Sequence, residues 1–107
     1  MVAPYRHVSS LEELEPDERH EHIDLVSRAV AVLKTELGNE GANLGMNLGR
    51  IAGAGIDDHI HSHIVPRWNG DTNFVRVCSD TYLISQSLAE LLSLLKQTSA
   101  KNGLPVL

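Results

Sequence analysis

In one long segment of the chain, apolar residues recur at helical spacing. Between Pro16 and Gly38, the apolar positions that keep this spacing are Ile23, Val26, Val30, Leu33 and Leu37. Proline suits the first turn of a helix and glycine suits its end. The segment is therefore predicted to form one amphipathic helix. A second apolar stripe predicts a C-terminal helix that begins near Ile84 and frays after Gln97; its members are Ile84, Leu88, Leu91, Leu92 and Leu95.

Two shorter segments alternate with a period of two residues. Ala42 to Leu48 is compatible with a strand, and Gly49 to Gly55 is predicted to be a small-residue loop. His59 to Val65 alternates histidine with isoleucine or serine, which is typical of a strand with two different faces. Pro66 is predicted to end this second strand.

The N-terminal residues predict an extended segment followed by a short helical turn. Met1 to Pro4 is apolar, and the residue before a proline is biased away from helix, so the segment resembles the end of a strand. Ser10 and Glu13 have the spacing of a capping box. Because strands and helices do not alternate regularly, the pattern favours an α+β fold.

The length and composition narrow the class of protein. The 107 residues predict a single domain spanning 1–107. Cys78 is the one cysteine, which excludes an intrachain disulfide and a finger-type zinc site. No apolar stretch approaches the roughly 20 residues that span a bilayer, and no export signal is recognised, so we expect a cytoplasmic protein without a membrane partner. The net charge of −5 argues against broad binding to a nucleic acid polymer.

Three histidines at two-residue spacing are the strongest chemical signal. On a strand, His59, His61 and His63 would share one face, with Cα atoms about 6.6–6.8 Å apart. If the strand is half-buried, a polar face toward solvent would account for one or two of these histidines more easily than for all three. A metal site, with Asp57 and Asp58 as further ligands, is a second interpretation, although three histidines in line do not easily close a tetrahedron.

A third interpretation is phosphoryl or nucleotidyl transfer with histidine as the nucleophile. Neutral imidazole is available near pH 7 because its unperturbed pKa is about 6.5. The nearby loop Gly53–Gly55 has almost no side chains, so backbone N–H groups could approach a phosphate closely. The loop and the histidines together favour this chemistry.

The segment His59-Ile-His-Ser-His-Ile-Val65 resembles the His-x-His-x-His-x-x signature of the histidine triad (HIT) superfamily of nucleotide hydrolases and transferases. The longer stretch "NLGRIAGAGIDDHIHSHIVPRWNGDTNF" is similar to the bacterial branch near diadenosine polyphosphate hydrolases and phosphorylases. The similarity covers nearly the whole chain. It implies a HIT-like antiparallel sheet with one long helix and a C-terminal helix, and a two-fold homodimer.

The resemblance also implies a reaction and a role for each histidine. The reaction would be hydrolysis or phosphorolysis of a nucleoside phosphoanhydride or phosphoramidate, with a purine nucleotide as substrate. For this chain we expect no cofactor and no metal ligand. His61 would be the nucleophile that carries a covalent nucleotidyl intermediate. His63 would contact the phosphate and the leaving or entering group. His59 would fix the tautomer and orientation of the nucleophile.

Further residues match the substrate-binding positions of the family. Asn47 would place an amide near the scissile phosphate, and Gly53, Ala54 and Gly55 would offer backbone amides to the phosphates. Ser62 occupies a position that the family usually fills with an apolar residue. It is expected to face away from the imidazoles and to affect packing.

Five other residues are assigned no catalytic role from the sequence. We expect His7, His20 and His22 to lie outside the site. Trp68 is predicted to be a packed or interface residue in preference to one that stacks a base. Arg67 is predicted to hold the end of the strand through a salt link.

The resemblance implies family residues before Met1 that would supply the first strands and much of the nucleoside pocket. Either the gene start is misplaced or the chain is a fragment, and we expect it to keep the nucleophile but to bind nucleotide poorly. The alternative from another class is a non-catalytic nucleotide-binding or dimerisation module. A metal-binding protein is a further alternative.

Overall fold

The computed structural model describes residues 1–54, 59–71 and 87–104. These contain two α-helices, α1 (Pro16–Leu37) and α2 (Leu88–Lys101), and two strands, β1 (Gly41–Met46) and β2 (Ser62–Arg67). Short 3-10 helices span Leu11–Glu13 and Arg50–Ala52. The α+β prediction is confirmed. Within the described ranges, neither helix is both long and apolar enough to cross a membrane.

Local signals at both ends set the limits of α1, as predicted. Pro16 opens the helix, and Glu15 and Glu18 form a reciprocal capping box in which the Glu15 N–H donates to the Glu18 carboxylate over 2.7 Å. Gly38 ends the helix in the left-handed conformation at φ 60°. At the predicted Ser10 box, the serine hydroxyl donates to the Glu13 carboxylate over 2.8 Å but makes no capping bond to the backbone.

The buried face of α1 differs from the predicted stripe. Ile23 is 62% exposed, whereas its neighbour His22 is buried together with Val26 and Val32. The prediction was wrong at this turn because it counted only apolar residues. His22 is buried because its imidazole has a hydrogen-bond partner, Ser62, on the sheet.

Strand β2 lies between β1 and the N-terminal segment. It pairs antiparallel with β1 in a register that runs from Gly41 opposite Arg67 to Met46 opposite Ser62. On its other edge, Ser62 exchanges both backbone hydrogen bonds with Val2, at 2.8 and 3.0 Å. The N-terminal segment is thus a strand end, as expected, and it lies beside the histidines.

The bounds of β2 correct the predicted strand at both ends. The strand begins at Ser62 instead of His59, and it continues through Pro66 to Arg67. A proline removes one N–H donor but keeps its extended φ and leaves the carbonyls free. Pairing therefore goes on, and the Arg67 carbonyl accepts a bond from the Glu40 N–H over 3.0 Å.

Helix α2 packs against α1 but differs from its prediction. The side chain of Ser87 caps the helix by accepting a hydrogen bond from the Glu90 N–H over 3.1 Å. The predicted start of the helix, Ile84, lies outside the described residues. The helix does not fray after Gln97, because Thr98 is buried and its hydroxyl donates to the Glu36 carboxylate over 2.5 Å. The leucine stripe is only partly packed: Leu88 is 75% exposed and Leu92 48%.

A small apolar core lies under the histidine segment. It comprises Val8, Leu14 and Ile60, all buried, with Met46 packed against them. Ile60 is further held by its N–H, which donates to the Val8 carbonyl over 2.8 Å. The core therefore anchors the chain between two of the histidines.

Candidate active site

The chain alternates between two faces through the histidine segment. His59, His61 and His63 are half-buried, whereas Ile60 and Ser62 between them are buried. Only His63 lies within β2, and the first two histidines precede it. The alternation that the sequence predicts thus extends beyond the regular strand.

A backbone contact fixes the imidazole of His61. Its Nδ1 lies 2.9 Å from the carbonyl oxygen of His59. A carbonyl oxygen can only accept, so Nδ1 must carry the hydrogen and donate it. In the neutral ring the other nitrogen, Nε2, then has a free lone pair. This is the tautomer that a histidine nucleophile needs.

The imidazole of His59 is held by the N-terminal segment. Its Nε2–H donates to the Pro4 carbonyl over 2.7 Å. The ring stacks on His7, with 4.9 Å between centroids and 19° between planes. The sequence did not indicate the contact with His7, since the two residues are distant in the chain; the pairing of the N-terminal strand end with Ser62 brings them together.

His63 lies against His61 on an open face of the sheet. Their rings meet edge to face at 4.6 Å between centroids and 74°. His63 is paired in register with Gly45, and no atom lies within 4 Å of the place where a Cβ on Gly45 would be. A side chain at position 45 would therefore meet nothing within 4 Å at its Cβ, and the surface opposite His63 is open there.

Asn47 lies beside the predicted phosphate loop. If the pairing of β1 with β2 continued by one residue beyond Met46 and Ser62, Asn47 would lie opposite His61, on the same face as Gly45. Its amide Nδ2 is 3.3 Å from the Cβ position of Gly53, which has φ 89°. The structure thus brings Asn47 and Gly53 together.

The backbone donors of the loop are engaged within it. The Gly53 N–H donates to the Arg50 carbonyl over 3.1 Å, and the Ala54 N–H donates to the Gly49 carbonyl over 3.2 Å. Gly55, the third predicted donor, lies outside the described residues. Binding a phosphate through Gly53 or Ala54 would require these N–H groups to exchange a carbonyl for a phosphate oxygen.

No group of three residues able to hold a metal ion occurs in the part of the chain that the structure describes. Asp57 and Asp58, the additional ligands considered from the sequence, fall outside that part.

Two residues after the triad have structural contacts. Arg67 binds the Asp71 carboxylate through Nε and Nη2, the latter at 2.9 Å, and also donates to Asn43 over 2.8 Å. The Trp68 indole N–H donates to the Leu37 carbonyl over 3.2 Å, at the end of α1. The Arg67 contact agrees with the predicted salt link, whereas Trp68 is 39% exposed and is held at the surface by its indole hydrogen bond.

Comparison with known sequences identifies the family. The model of the HIT domain matches residues 1–70. The chain is 41% identical over 95 residues to an AP-4-A phosphorylase of Mycobacterium tuberculosis, an alignment that covers 89% of this chain and 49% of that protein. It is 40% identical over 76 residues to an uncharacterized HIT-like protein of Methanocaldococcus jannaschii, covering 71% and 57% of the two chains.

Solved structures show the same fold. A zinc-bound histidine triad family protein from Mycobacterium smegmatis superposes with a TM-score of 0.71 at 25% identity, over 92% of this chain and 66% of that one. A hypothetical histidine triad nucleotide-binding protein from Sulfolobus tokodaii superposes with a TM-score of 0.69 at 25% identity, over 94% of this chain and 66% of that one. The chain belongs to the HIT family. It spans about half the length of the curated relatives that it matches.

Proposed function

We propose that the protein is a nucleotide hydrolase or nucleotidyl transferase that acts on nucleoside phosphoanhydrides or phosphoramidates, such as diadenosine polyphosphates. The observation that carries the proposal is the bond from His61 Nδ1–H to the His59 carbonyl, which leaves the lone pair on Nε2. Membership of the HIT family and the similarity to an AP-4-A phosphorylase support this substrate class.

In the first step, His61 Nε2 attacks the α-phosphorus of the substrate. An N–P bond forms, and the bond between that phosphorus and its bridging oxygen breaks, so the electron pair leaves with the departing phosphate group. The ring keeps its Nδ1 hydrogen and becomes a cationic nucleotidyl-imidazolium. The His59 carbonyl that accepts this hydrogen stabilises the developing positive charge.

In the second step, water or inorganic phosphate attacks the same phosphorus. The N–P bond breaks, and its electron pair returns to Nε2 of His61. When water is the acceptor, it loses one proton to the solvent or to a neighbouring base. His63 would contact the phosphate and the leaving or entering oxygen, and the edge-to-face contact of its ring with that of His61 supports this role.

The remaining assigned residues would bind the phosphates. The amide of Asn47 would lie near the scissile phosphate, and the loop of Gly53, Ala54 and Gly55 would supply backbone N–H groups. The proximity of Asn47 to Gly53 supports a shared role. The loop bonds of Gly53 and Ala54 would have to open for this to occur.

We further propose a cytoplasmic homodimer joined through α1 and a neighbouring strand. Two exposed apolar side chains on these elements support it, because Ile23 is 62% exposed on α1 and Leu44 is 54% exposed on β1. Light scattering at several protein concentrations tests the dimer directly. A monomer at every concentration would contradict it.

Product analysis with diadenosine tetraphosphate tests the reaction. Attack of water at the α-phosphorus gives AMP and ATP, whereas attack of phosphate gives ADP and ATP, so chromatography distinguishes hydrolysis from phosphorolysis. We expect one of these product pairs from the wild type and neither from His61→Ala. Calorimetric binding of AMP without any product would favour the non-catalytic nucleotide-binding module.

A further inference from the structure

A buried pair of polar side chains lies on the face of β2 opposite to the triad imidazoles. His22 of α1 and Ser62 of β2 are both only 6% exposed, and His22 Nε2 lies 2.7 Å from Ser62 Oγ. Ser62 stands between His61 and His63 in the sequence, with its side chain on the opposite face. The pair therefore connects the long helix to the point of the strand from which these two imidazoles project.

The pair has apolar neighbours on both elements, although Glu18, Glu21 and Arg6 line the same cavity as His22. Ile60 and Ile64 flank Ser62 on the same face of the strand, and Val26 is buried one turn after His22 on α1. Polar groups in such a contact lower stability unless they bond to each other. An apolar pair would fill the space equally well, so packing alone does not account for these two residues.

Apolar packing does not close this side of the strand. A cavity of about 610 Å³ opens between the N-terminal segment, α1 and α2, and its lining includes His22, Val2 and Ile64. Side chains beside a cavity have room to shift. The hydrogen bond between His22 and Ser62 is directional, so it supplies a fixed contact where close packing is incomplete.

Ser62 is in consequence held from two directions. Its backbone N–H and carbonyl are both bonded to Val2, and its hydroxyl is bonded to His22. A change in either contact would shift the backbone that carries His61 and His63. Because those rings lie only 4.6 Å apart, a small shift of the backbone changes their relative orientation.

We propose that His22 and Ser62 are positioning residues for the triad. Their hydrogen bond sets the position of β2 against α1, and through it the orientation of His61 and His63 toward a bound phosphate. The catalytic part of this inference rests on the proposed function. Displacement of a catalytic group by about 1 Å can reduce turnover by as much as a hundredfold.

Kinetic comparison of matched variants separates positioning from stability. In His22→Leu and Ser62→Ala we expect kcat to fall at least about tenfold with KM within about twofold. His22→Gln should recover most of kcat, because its amide can bond to the serine. The double variant His22→Leu with Ser62→Val should recover thermal stability but not kcat. Recovery of both would overturn the proposal, since the pair would then be merely structural.

Nuclear magnetic resonance of the histidine rings tests the same inference without substrate. We expect the ring 15N signals of His61 and His63 to shift in His22→Leu. They should be unchanged in His20→Leu, which alters an exposed histidine on the same helix. Unchanged signals in folded His22→Leu would overturn the proposal. If the wild type turns over no nucleotide, the proposed function fails, while the ring signals still decide whether the pair positions the triad.

Discussion

The backbone carbonyl of His59 accepts the Nδ1–H of His61 over 2.9 Å. The bond fixes the tautomer of His61 without using the imidazole of His59, which instead bonds to Pro4 and stacks on His7. The ring of His61 is therefore held by a main-chain group that any residue at position 59 would supply, so we expect position 59 to tolerate substitution better than position 61.

Replacement of His59 by phenylalanine tests this division of roles. His59→Phe keeps the carbonyl and an aromatic ring facing His7 but loses the bond to Pro4. We expect a stability loss of about 1 kcal/mol and a kcat decrease within about tenfold. His61→Ala should lower kcat at least about a thousandfold with an unchanged fold, because the proposed nucleophile is removed. Equal losses in the two variants, measured by steady-state kinetics and circular dichroism, would contradict the account.

The loop beside Asn47 should depend on Gly53. In Gly53→Ala, the added Cβ would occupy a left-handed conformation at φ 89° and lie 3.3 Å from the Asn47 amide. We expect a loss of about 1–2 kcal/mol of unfolding free energy, measured with urea. Gly41→Ala is the matched control, since nothing lies within 4 Å of its Cβ position and its φ is not positive. Equal stability of the two variants would argue against this loop conformation.

Stability should fall as the pH falls below the usual pKa of histidine, because of His22. Burial lowers the pKa of its imidazole from 6.5, so the unfolded chain binds more protons than the folded one in that range. The stabilisation of the folded state by neutral His22 is fully present above pH 6.5, and it is lost as the pH falls through the lowered pKa that His22 has in the folded protein. Urea unfolding from pH 7.5 to pH 5 should show a steeper decline for wild type than for His22→Gln.

The exposed variant His20→Gln is the control for that comparison, and its decline should parallel the wild type. If His22→Gln also parallels the wild type, the buried imidazole does not contribute to the acid sensitivity.

Glu18 should contribute to stability over a more acidic range. The guanidinium of Arg6, which binds the Glu18 carboxylate over 2.6 Å, and the Glu15 N–H lower the pKa of Glu18 to about 2. Its contribution is present above the unfolded value of 4.5 and is lost as the pH falls toward 2. Glu18→Gln should be slightly less stable than wild type at pH 7, since exposed ion pairs contribute little. The two proteins should converge near pH 2, and a constant difference across this range would refute the assignment.

Local signals made much of the fold predictable. The proline and glycine around residues 16–37 define α1, and the two-residue period of the histidine segment places His61 and His63 side by side. Those features depend on neighbours in the sequence. The polar face at His22 was not predictable, since its partner Ser62 lies 40 residues away. The continuation of α2 through Thr98 likewise depends on a distant carboxylate, that of Glu36.

The sequence proposed the residues of the candidate site but not the contacts between them. Spacing pointed to the three histidines, the lack of side chains pointed to the loop Gly53–Gly55, and the resemblance added Asn47. It could not show that the carbonyl of His59 is the group that orients His61, because a residue pattern carries no information on backbone bonds. Nor could it bring His7 to His59, which requires the pairing of Val2 with Ser62.

The most direct test of the central claim is mass spectrometry of the protein quenched in alkali during turnover of diadenosine tetraphosphate, since a phosphoramidate is labile in acid. The account predicts that the mass increases by one nucleoside monophosphoryl group, that fragmentation places it on His61, and that His61→Ala shows no adduct. Turnover with no adduct on His61, or an adduct on another residue, would contradict it.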